Sequence, residues 1–433
     1  NKYKELKGFR QVLYALGHIG PGMLNQFITI WLLLYLTTGE SPLVSGTLVG
    51  VALMIGRIMD GVADPLVAQM SDNLKYKKFG RRIPFMAIGV IPMVISFNLL
   101  WITSTFSSSL FRFIWILIWV NAFYFAYTVV VNPYFALLPE ISKDKNQRSY
   151  IQGFVALFGI LGMGISMGVS GILIDAFSYS IAGLLLSVIC VLVMIAPILV
   201  VKVNKDYEEP VTKALSKNVF KNIIETFENK NFRNYIVGFS MFFIGFQLIQ
   251  YNLSFYTTVL LGLAKGDSSL LFITSVVSGI LFIPVYNRIV KKSSTQNALN
   301  IAVGSYVIVA VLIALSTLIP IGDKKILGLI MMAAIGFPYG GLMVTPNLII
   351  SEIIDEDYIL TNKRREALFF GVQGLINKFM VALAALAVGV LHDLLGNSTG
   401  NSAGVIVIAP LAAAVSLIGA IVIRRMNIKG KIT

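Results

Sequence analysis

The feature that most constrains this chain is a series of twelve long apolar stretches separated by short polar ones. They fall at roughly 10–37, 43–72, 83–104, 110–138, 149–176, 180–202, 233–261, 268–290, 296–318, 326–354, 367–392 and 402–424. A helix needs about 20 mostly apolar residues to cross the hydrocarbon of a bilayer. Each stretch meets that length. The composition agrees: of 433 residues, 56% are hydrophobic and 13% charged, whereas soluble chains average about 45–50% apolar and about 25% charged. A water-soluble enzyme, a disordered chain and a fibrous repeat are thereby excluded. The expected fold class is an all-α membrane protein. Cys190 is the single cysteine, which excludes an internal disulfide, and with two histidines a transition-metal centre has too few ligands. No signal peptide is visible. The chain opens Asn1-Lys2-Tyr3-Lys4 without an initiator Met, so a trimmed start is expected.

Charge placement fixes the expected topology. The loops on the side of both termini carry 29 basic residues, including the runs Lys75–Arg82, Lys143–Arg148 and Lys363–Arg365. The opposite side carries four: Arg112, Lys265, Lys324 and Lys325. By the positive-inside rule both termini are cytoplasmic, and the net charge of +14 reflects topology, not nucleic-acid binding. Trp31, Trp101, Trp115 and Trp119 stand in the outer portions of their spans, as an interfacial aromatic belt would place them. The longest polar stretch divides the chain into a six-helix bundle at 1–202, a linker at 203–232 and a second six-helix bundle at 233–433. In the linker, Val219, Phe220, Ile223, Ile224 and Phe227 recur at helical spacing, which predicts a short helix on the cytoplasmic membrane surface. Pro133 and Pro346, with Glu140 and Glu352 beyond them, hold equivalent places in spans 4 and 10 and suggest internal duplication.

A charge at the bilayer centre costs about 2.5–3.5 kcal/mol on insertion scales. Span 2 nonetheless carries Arg57, Asp60 and Asp64 at i, i+3 and i+7, on one helix face. Arg57 can neutralise Asp60, and Asp64 then needs a cation, a proton or another helix. Two acids one turn apart in a dry cleft suit Na⁺ or H⁺. The competing interpretation is an ion-pair cluster that only fixes helix packing. Lys378 stands about 16 Å inside span 11 at 1.5 Å per residue, too deep to snorkel. It would hold an anionic substrate or act as a coupling partner, and the four intramembrane charges sum to zero. Gly164-Ile165-Ser166-Met167-Gly168 matches G-x-S-x-G, but without a preceding strand it reads as small-residue helix packing. His18 lines the cavity or packs. His392 is expected in a solvated outer loop. Pro and Gly within spans mark kinks or broken helices.

At this point a family resemblance emerges. Ser71-Asp72-Asn73 followed by Lys77-Lys78-Phe79-Gly80-Arg81-Arg82 resembles the loop 2–3 signature of the major facilitator superfamily. Arg57-x-x-Asp60-x-x-x-Asp64-Pro65, Asn132-Pro133-Tyr134-x-Ala136-Leu137-x-Pro139-Glu140 and Lys363-Arg364-Arg365-Glu366-Ala367-x-Phe369-Phe370-Gly371 resemble the glycoside–pentoside–hexuronide:cation symporters, the melibiose-permease-like group. The resemblance implies twelve transmembrane helices in two pseudo-symmetric six-helix bundles, with substrate near the midplane between the halves. It implies a cation site at Asp60, Asp64 and Thr128, with Arg57 as charge partner. It also implies a substrate site with Lys378, Gln373 and the stacking aromatic Phe135, to which His18 and Asn25 on span 1 are added. The sugar-gripping acids of that group fall here at Gly22 and Val131, its span 5 Arg near Ala156, and its Asn between the span 2 acids at Ala63. The cation half is retained and the galactoside half is not.

The expected function is therefore Na⁺- or H⁺-coupled symport of a sugar-like solute by alternating access, not enzymatic chemistry. The alternative is a lysophospholipid carrier on the same scaffold, and more remotely a non-transporting membrane sensor. Asp72, Arg82, Glu140, Arg148, Glu352 and Arg364 are the candidate cytoplasmic gate charges, with ordinary positive-inside topology as the plainer interpretation. The coupling ion stands in place of a cofactor. The expected partners are the solute and the lipid bilayer, with no nucleic acid. A monomer in the plasma membrane is expected.

Overall fold

The computed structural model describes residues 4–39, 42–73, 80, 82–142, 145–202, 224–317, 323–362 and 365–427. Among them, twelve helices are long and apolar enough to cross a membrane. They are α1 (Phe9–Thr37), α2 (Gly46–Ser71), α3 (Ile83–Thr105), α4 (Ser109–Ile141), α5 (Tyr150–Ala176) and α6 (Tyr179–Val200). The second six are α7 (Lys230–Leu260), α8 (Lys265–Lys292), α9 (Thr295–Ser316), α10 (Lys324–Thr361), α11 (Leu368–Leu395) and α12 (Ala403–Ile423). In hydrocarbon the backbone must satisfy its own polar groups, which selects helices. Several starts are set by polar caps. Ser108, Ser178, Asn229, Ser294 and Asp323 accept from backbone N–H groups in the first turns of α4, α6, α7, α9 and α10. Ile88, Leu192 and Leu281 are 68%, 61% and 69% exposed, an outward apolar face that suits lipid and not water.

The chain divides into two compact units, Asn1–Lys213 and Ala214–Thr433, each with six of these helices. Within the first unit α2 packs on α4, α3 on α4, and α1 on both α5 and α6, while α3 also meets α6. Within the second, α8 packs on α10, α9 on α10, and α7 on both α11 and α12, while α9 also meets α12. The pairing pattern is the same, as internal duplication requires. Close approach is made by absent side chains. A Cβ on Gly162 of α5 would run into the carbonyl of Ile19 on α1. One on Gly341 of α10 would stand 2.6 Å from the Tyr286 ring of α8. Ser166 lies wholly buried inside continuous α5, so the hydrolase-like G-x-S-x-G has no turn to display its hydroxyl.

Three expectations change, and a fourth lies largely outside the described residues. Trp31 and Trp101 are not interfacial: both are buried, Trp31 donating to Ser170 Oγ at 2.7 Å and Trp101 set edge-on to Phe27 at 4.7 Å. Position along a span gives depth, but not which face a side chain takes. His392 is not in a solvated loop. It is 1% exposed in the last turn of α11, which runs on to Leu395 and stops at Gly396 with φ 96°. Span 10 extends past residue 354 to Thr361, because Asp355-Glu356-Asp357 continues as helix outside the apolar segment, until Asn362 adopts φ 55°. The expected linker helix falls largely on residues 203–223, outside the described residues. Its last turn, Ile224–Thr226, is helical, with Thr226 buried and the Phe227 ring 5.9 Å from that of Phe232.

Candidate functional site

The charged face of α2 meets α4 in register. Asp60 is 3% exposed, and one carboxylate oxygen accepts from the Thr128 hydroxyl at 2.5 Å. One turn further, Asp64 is half-buried, and an oxygen accepts from the Asn132 amide at 3.0 Å. Thr128 and Asn132 are thus spaced like the acids they meet, so that each α2–α4 pair is separated by the same 68 positions. A hydrogen bond to a charged group contributes about 1.5–3 kcal/mol, which helps hold two acids in an apolar bundle. The Thr128 hydroxyl lies 3.1 Å from the Tyr124 carbonyl. A small oxygen-rich cluster of carboxylates, hydroxyl, amide and carbonyl results. Such hard oxygen donors suit an alkali cation or a proton.

Arg57 is 8% exposed and donates to Asn25 Oδ1 on α1 at 3.0 Å, its guanidinium 4.4 Å from the centre of the Tyr124 ring. A cation at this distance over an aromatic ring makes a cation–π contact, for which Arg is used more often than Lys. Gly56 allows the approach, since a Cβ there would stand 2.6 Å from Tyr124. On α1, His18 sits where the helix breaks at Gly17. Its ring stands 5.1 Å from Phe135 and 5.9 Å from Tyr134. Phe135 is 37% exposed. The first unit therefore brings together Asp60 with Thr128, Arg57 with Asn25, and His18 with Phe135.

In the second unit Lys378 is half-buried on α11. Gln373 is buried and donates to the Tyr235 hydroxyl on α7 at 2.8 Å. Of the gate candidates, Arg82 and Glu140 form an ion pair at 2.8 Å, both largely buried, tying the start of α3 to the end of α4. Arg148 instead donates to the carbonyls of Ser142 and Pro139, at 2.8 and 3.4 Å. Glu352 accepts from Thr295 of α9 at 2.5 Å. Arg364 and the side chain of Asp72 lie outside the described residues. The pair that sequence reasoning missed is Arg365 with Asp357, bonded at 3.0 and 2.6 Å, with Glu225 at 3.6 Å from the same guanidinium. The hydrogen bond to Asp357, more than the nearby charges, raises the Arg365 pKa, so it stays cationic. Asn132 was missed as well, although its four-residue spacing from Thr128 matches that of the acids.

Twelve spans in two units of six, with charges and amides buried inside them, define a multi-pass membrane transporter of the major facilitator fold. The chain belongs to the MFS/sugar transport protein family, whose model matches residues 13–428. It is 32% identical to the uncharacterized symporter sll1374 of Synechocystis over 162 residues, 36% of this chain and 29% of that relative. It is 22% identical over 376 residues to sodium-dependent lysophosphatidylcholine symporter 1 of Xenopus tropicalis, covering 76% of this chain and 69% of the relative. Among solved structures, a mutant of the nucleoside transporter NupG matches with a TM-score of 0.72 at 14% identity, over 97% of this chain and 100% of that one.

Proposed function

We propose that this protein is a sodium-coupled symporter that carries a sugar-like organic solute by alternating access. The observation that carries the proposal is the paired register of Asp60–Thr128 and Asp64–Asn132 across α2 and α4. A packing cluster would be served by one neutralised pair. Two carboxylates held by a hydroxyl and an amide can release those donors and turn oxygens toward a cation. Na⁺ is favoured over H⁺ because Thr128, Asn132 and the Tyr124 carbonyl offer ligand oxygens that a proton would not need. Arg57, held against Tyr124 and Asn25, sets the local charge. His18, Asn25 and Phe135 supply the polar and stacking contacts a small polar solute uses, while Lys378 supplies a positive charge for its anionic or polar group. Gln373 positions α11 against α7 through Tyr235. Arg82–Glu140, Arg148 and Glu352 brace the helix ends that move, with Asp72 and Arg364 as further charges of the same set. Operation in the plasma membrane with both termini cytoplasmic fits the placement of basic residues.

A second substrate class is favoured by one specific observation. In the symporter group that the sequence resembles, the acids and the base that grip sugar hydroxyls fall here at Gly22, at Val131 and near Ala156, and a site without such groups discriminates hydroxylated solutes weakly. A lysolipid with an apolar tail and a charged head needs fewer of them. The relative from Xenopus carries such a substrate by its name.

The deciding experiment is uptake into proteoliposomes from a mixed panel of sugars and lysolipids, with Na⁺ and proton gradients imposed separately. Accumulation of one class driven by Na⁺ and lost in Asp60→Asn and Asp64→Asn is expected. Accumulation that ignores both gradients, or survives both substitutions, would remove the proposal.

A further inference from the structure

Helix α1 is interrupted at Gly17 and His18, whose N–H groups fall back to i−3 bonds with Tyr14 and Ala15 carbonyls at 3.3 and 3.1 Å. The same two carbonyls lie 3.0 and 3.3 Å from the Tyr134 hydroxyl of α4, which donates to them. In return the Tyr14 hydroxyl donates to the Tyr134 carbonyl at 2.5 Å. The two rings lie 4.7 Å apart and within 8° of parallel. Both tyrosines are buried, at 1% and 2% exposure. Gly17 makes room for the arrangement, because a Cβ there would stand 2.6 Å from Pro197 and 3.3 Å from the Tyr134 ring. On the other side of the break, Asn25 is tied to α2 through Arg57. The break is therefore pinned on both flanks, to α4 on one and to α2 on the other. Those are the helices that hold the candidate ion cluster. Tyr134 stands only two residues beyond Asn132 on α4.

We infer that the reciprocal Tyr14–Tyr134 clasp couples the break in α1 to the α2–α4 ion site. Tyr14 and Tyr134 act as positioning residues: neither is an ion ligand, and each works through the helix it holds. An ion that draws α2 and α4 together stabilises the hydrogen-bonded form of the break, which carries His18 toward the solute. A ligand that binds one state and not another shifts their balance by a factor of 1 + [L]/Kd. If opening of the break requires release of the ion, exchange at its amides slows by that factor. Without the clasp, the break opens whether or not the ion is bound. This inference rests on the symport proposal, and its test separates the two.

The test is hydrogen exchange of the full chain in nanodiscs, read at residues 14–20 with and without Na⁺, beside a Na⁺ titration of tryptophan fluorescence. In the unmodified protein, Na⁺ at about ten times its Kd should slow exchange at Gly17 and His18 about tenfold. Tyr134→Phe and Tyr14→Phe keep the stacked rings and remove the hydroxyls. Each should keep Na⁺ affinity within about twofold and lose the Na⁺-dependent protection, leaving a ratio of about one. A merely structural role would speed exchange equally with and without Na⁺ and leave the tenfold ratio in place, which would overturn the inference while symport stands. If the unmodified protein neither binds Na⁺ nor changes its exchange, the sodium proposal and this inference both fall.

Discussion

At the scale of single residues, the behaviour of the ion cluster depends on one hydroxyl. Thr128 donates to a carboxylate that is 3% exposed. In the proposed site that hydroxyl leaves the carboxylate and becomes a ligand oxygen for the cation. Thr128→Ala removes this ligand and should weaken Na⁺ binding roughly tenfold, the factor for about 1.4 kcal/mol, measured as the Na⁺ concentration giving half-maximal uptake. Thr128→Ser should restore most of it, because the hydroxyl and not the methyl group carries the bond. Equal loss in both variants would assign the position to packing. His392 makes a different kind of prediction. Its Nε2 lies 2.9 Å from Asn252 Oδ1, and the Phe255 ring stands 4.3 Å from it. His392→Leu leaves the buried Asn252 oxygen without that partner, at a cost of about 1–3 kcal/mol. The melting temperature in detergent should fall, while Na⁺ affinity stays unchanged, since the histidine belongs to the other unit from the carboxylates.

At the scale of elements, the contacts between helices were only partly legible. The spans themselves were readable because bilayer thickness sets a length that the sequence must meet. Asp60 and Asp64 stand out in the sequence because intramembrane charge is rare, whereas uncharged Thr128 was pointed to by the family resemblance alone. The loop 10–11 pair was not. Lys363, Arg364 and Arg365 are all basic, and nothing in their order says which one the start of α11 turns toward Asp357. Arg365 does so, from a position where its side chain is 15% exposed against 4% for the acid. Charge count cannot distinguish basic residues that follow one another in the sequence. The two parallel bonds predict that Arg365→Lys will not substitute, because Lys cannot reproduce the planar fork. Both Arg365→Ala and Arg365→Lys should release the turn at Glu225 and speed proteolysis at residues 224–229, with Arg365→Ala the faster. Close packing makes a companion prediction. Gly162→Val puts a branched side chain against the Ile19 carbonyl, where overpacking costs about 1–3 kcal/mol. Folded yield should drop more than for the same change at Gly153, which has open space around its Cβ position.

At the scale of the whole molecule, the two six-helix units share one internal pairing pattern although few residues match between them. That repetition follows from physics that does not require matched side chains. Small residues set how closely two helices approach, and the positions of such residues can be kept while the rest drifts. Orientation in the membrane rests on a separate property, the uneven distribution of Lys and Arg, and it can be tested separately. Cys190 is wholly buried, so the unmodified chain should react little with a membrane-impermeant maleimide. Lys324 and Arg425 are both exposed, at the start of α10 and just beyond α12. If both termini are cytoplasmic, Lys324→Cys should label in intact right-side-out vesicles, and Arg425→Cys only after permeabilisation. Neither residue lies near the ion cluster in sequence or belongs to its unit, so both variants should retain Na⁺-driven uptake, which certifies that they are folded when labelled. The reverse labelling pattern would invert the topology. Labelling of both sites from one side would require an odd number of crossings between α10 and the C-terminus to become even, and would break the twelve-span count itself.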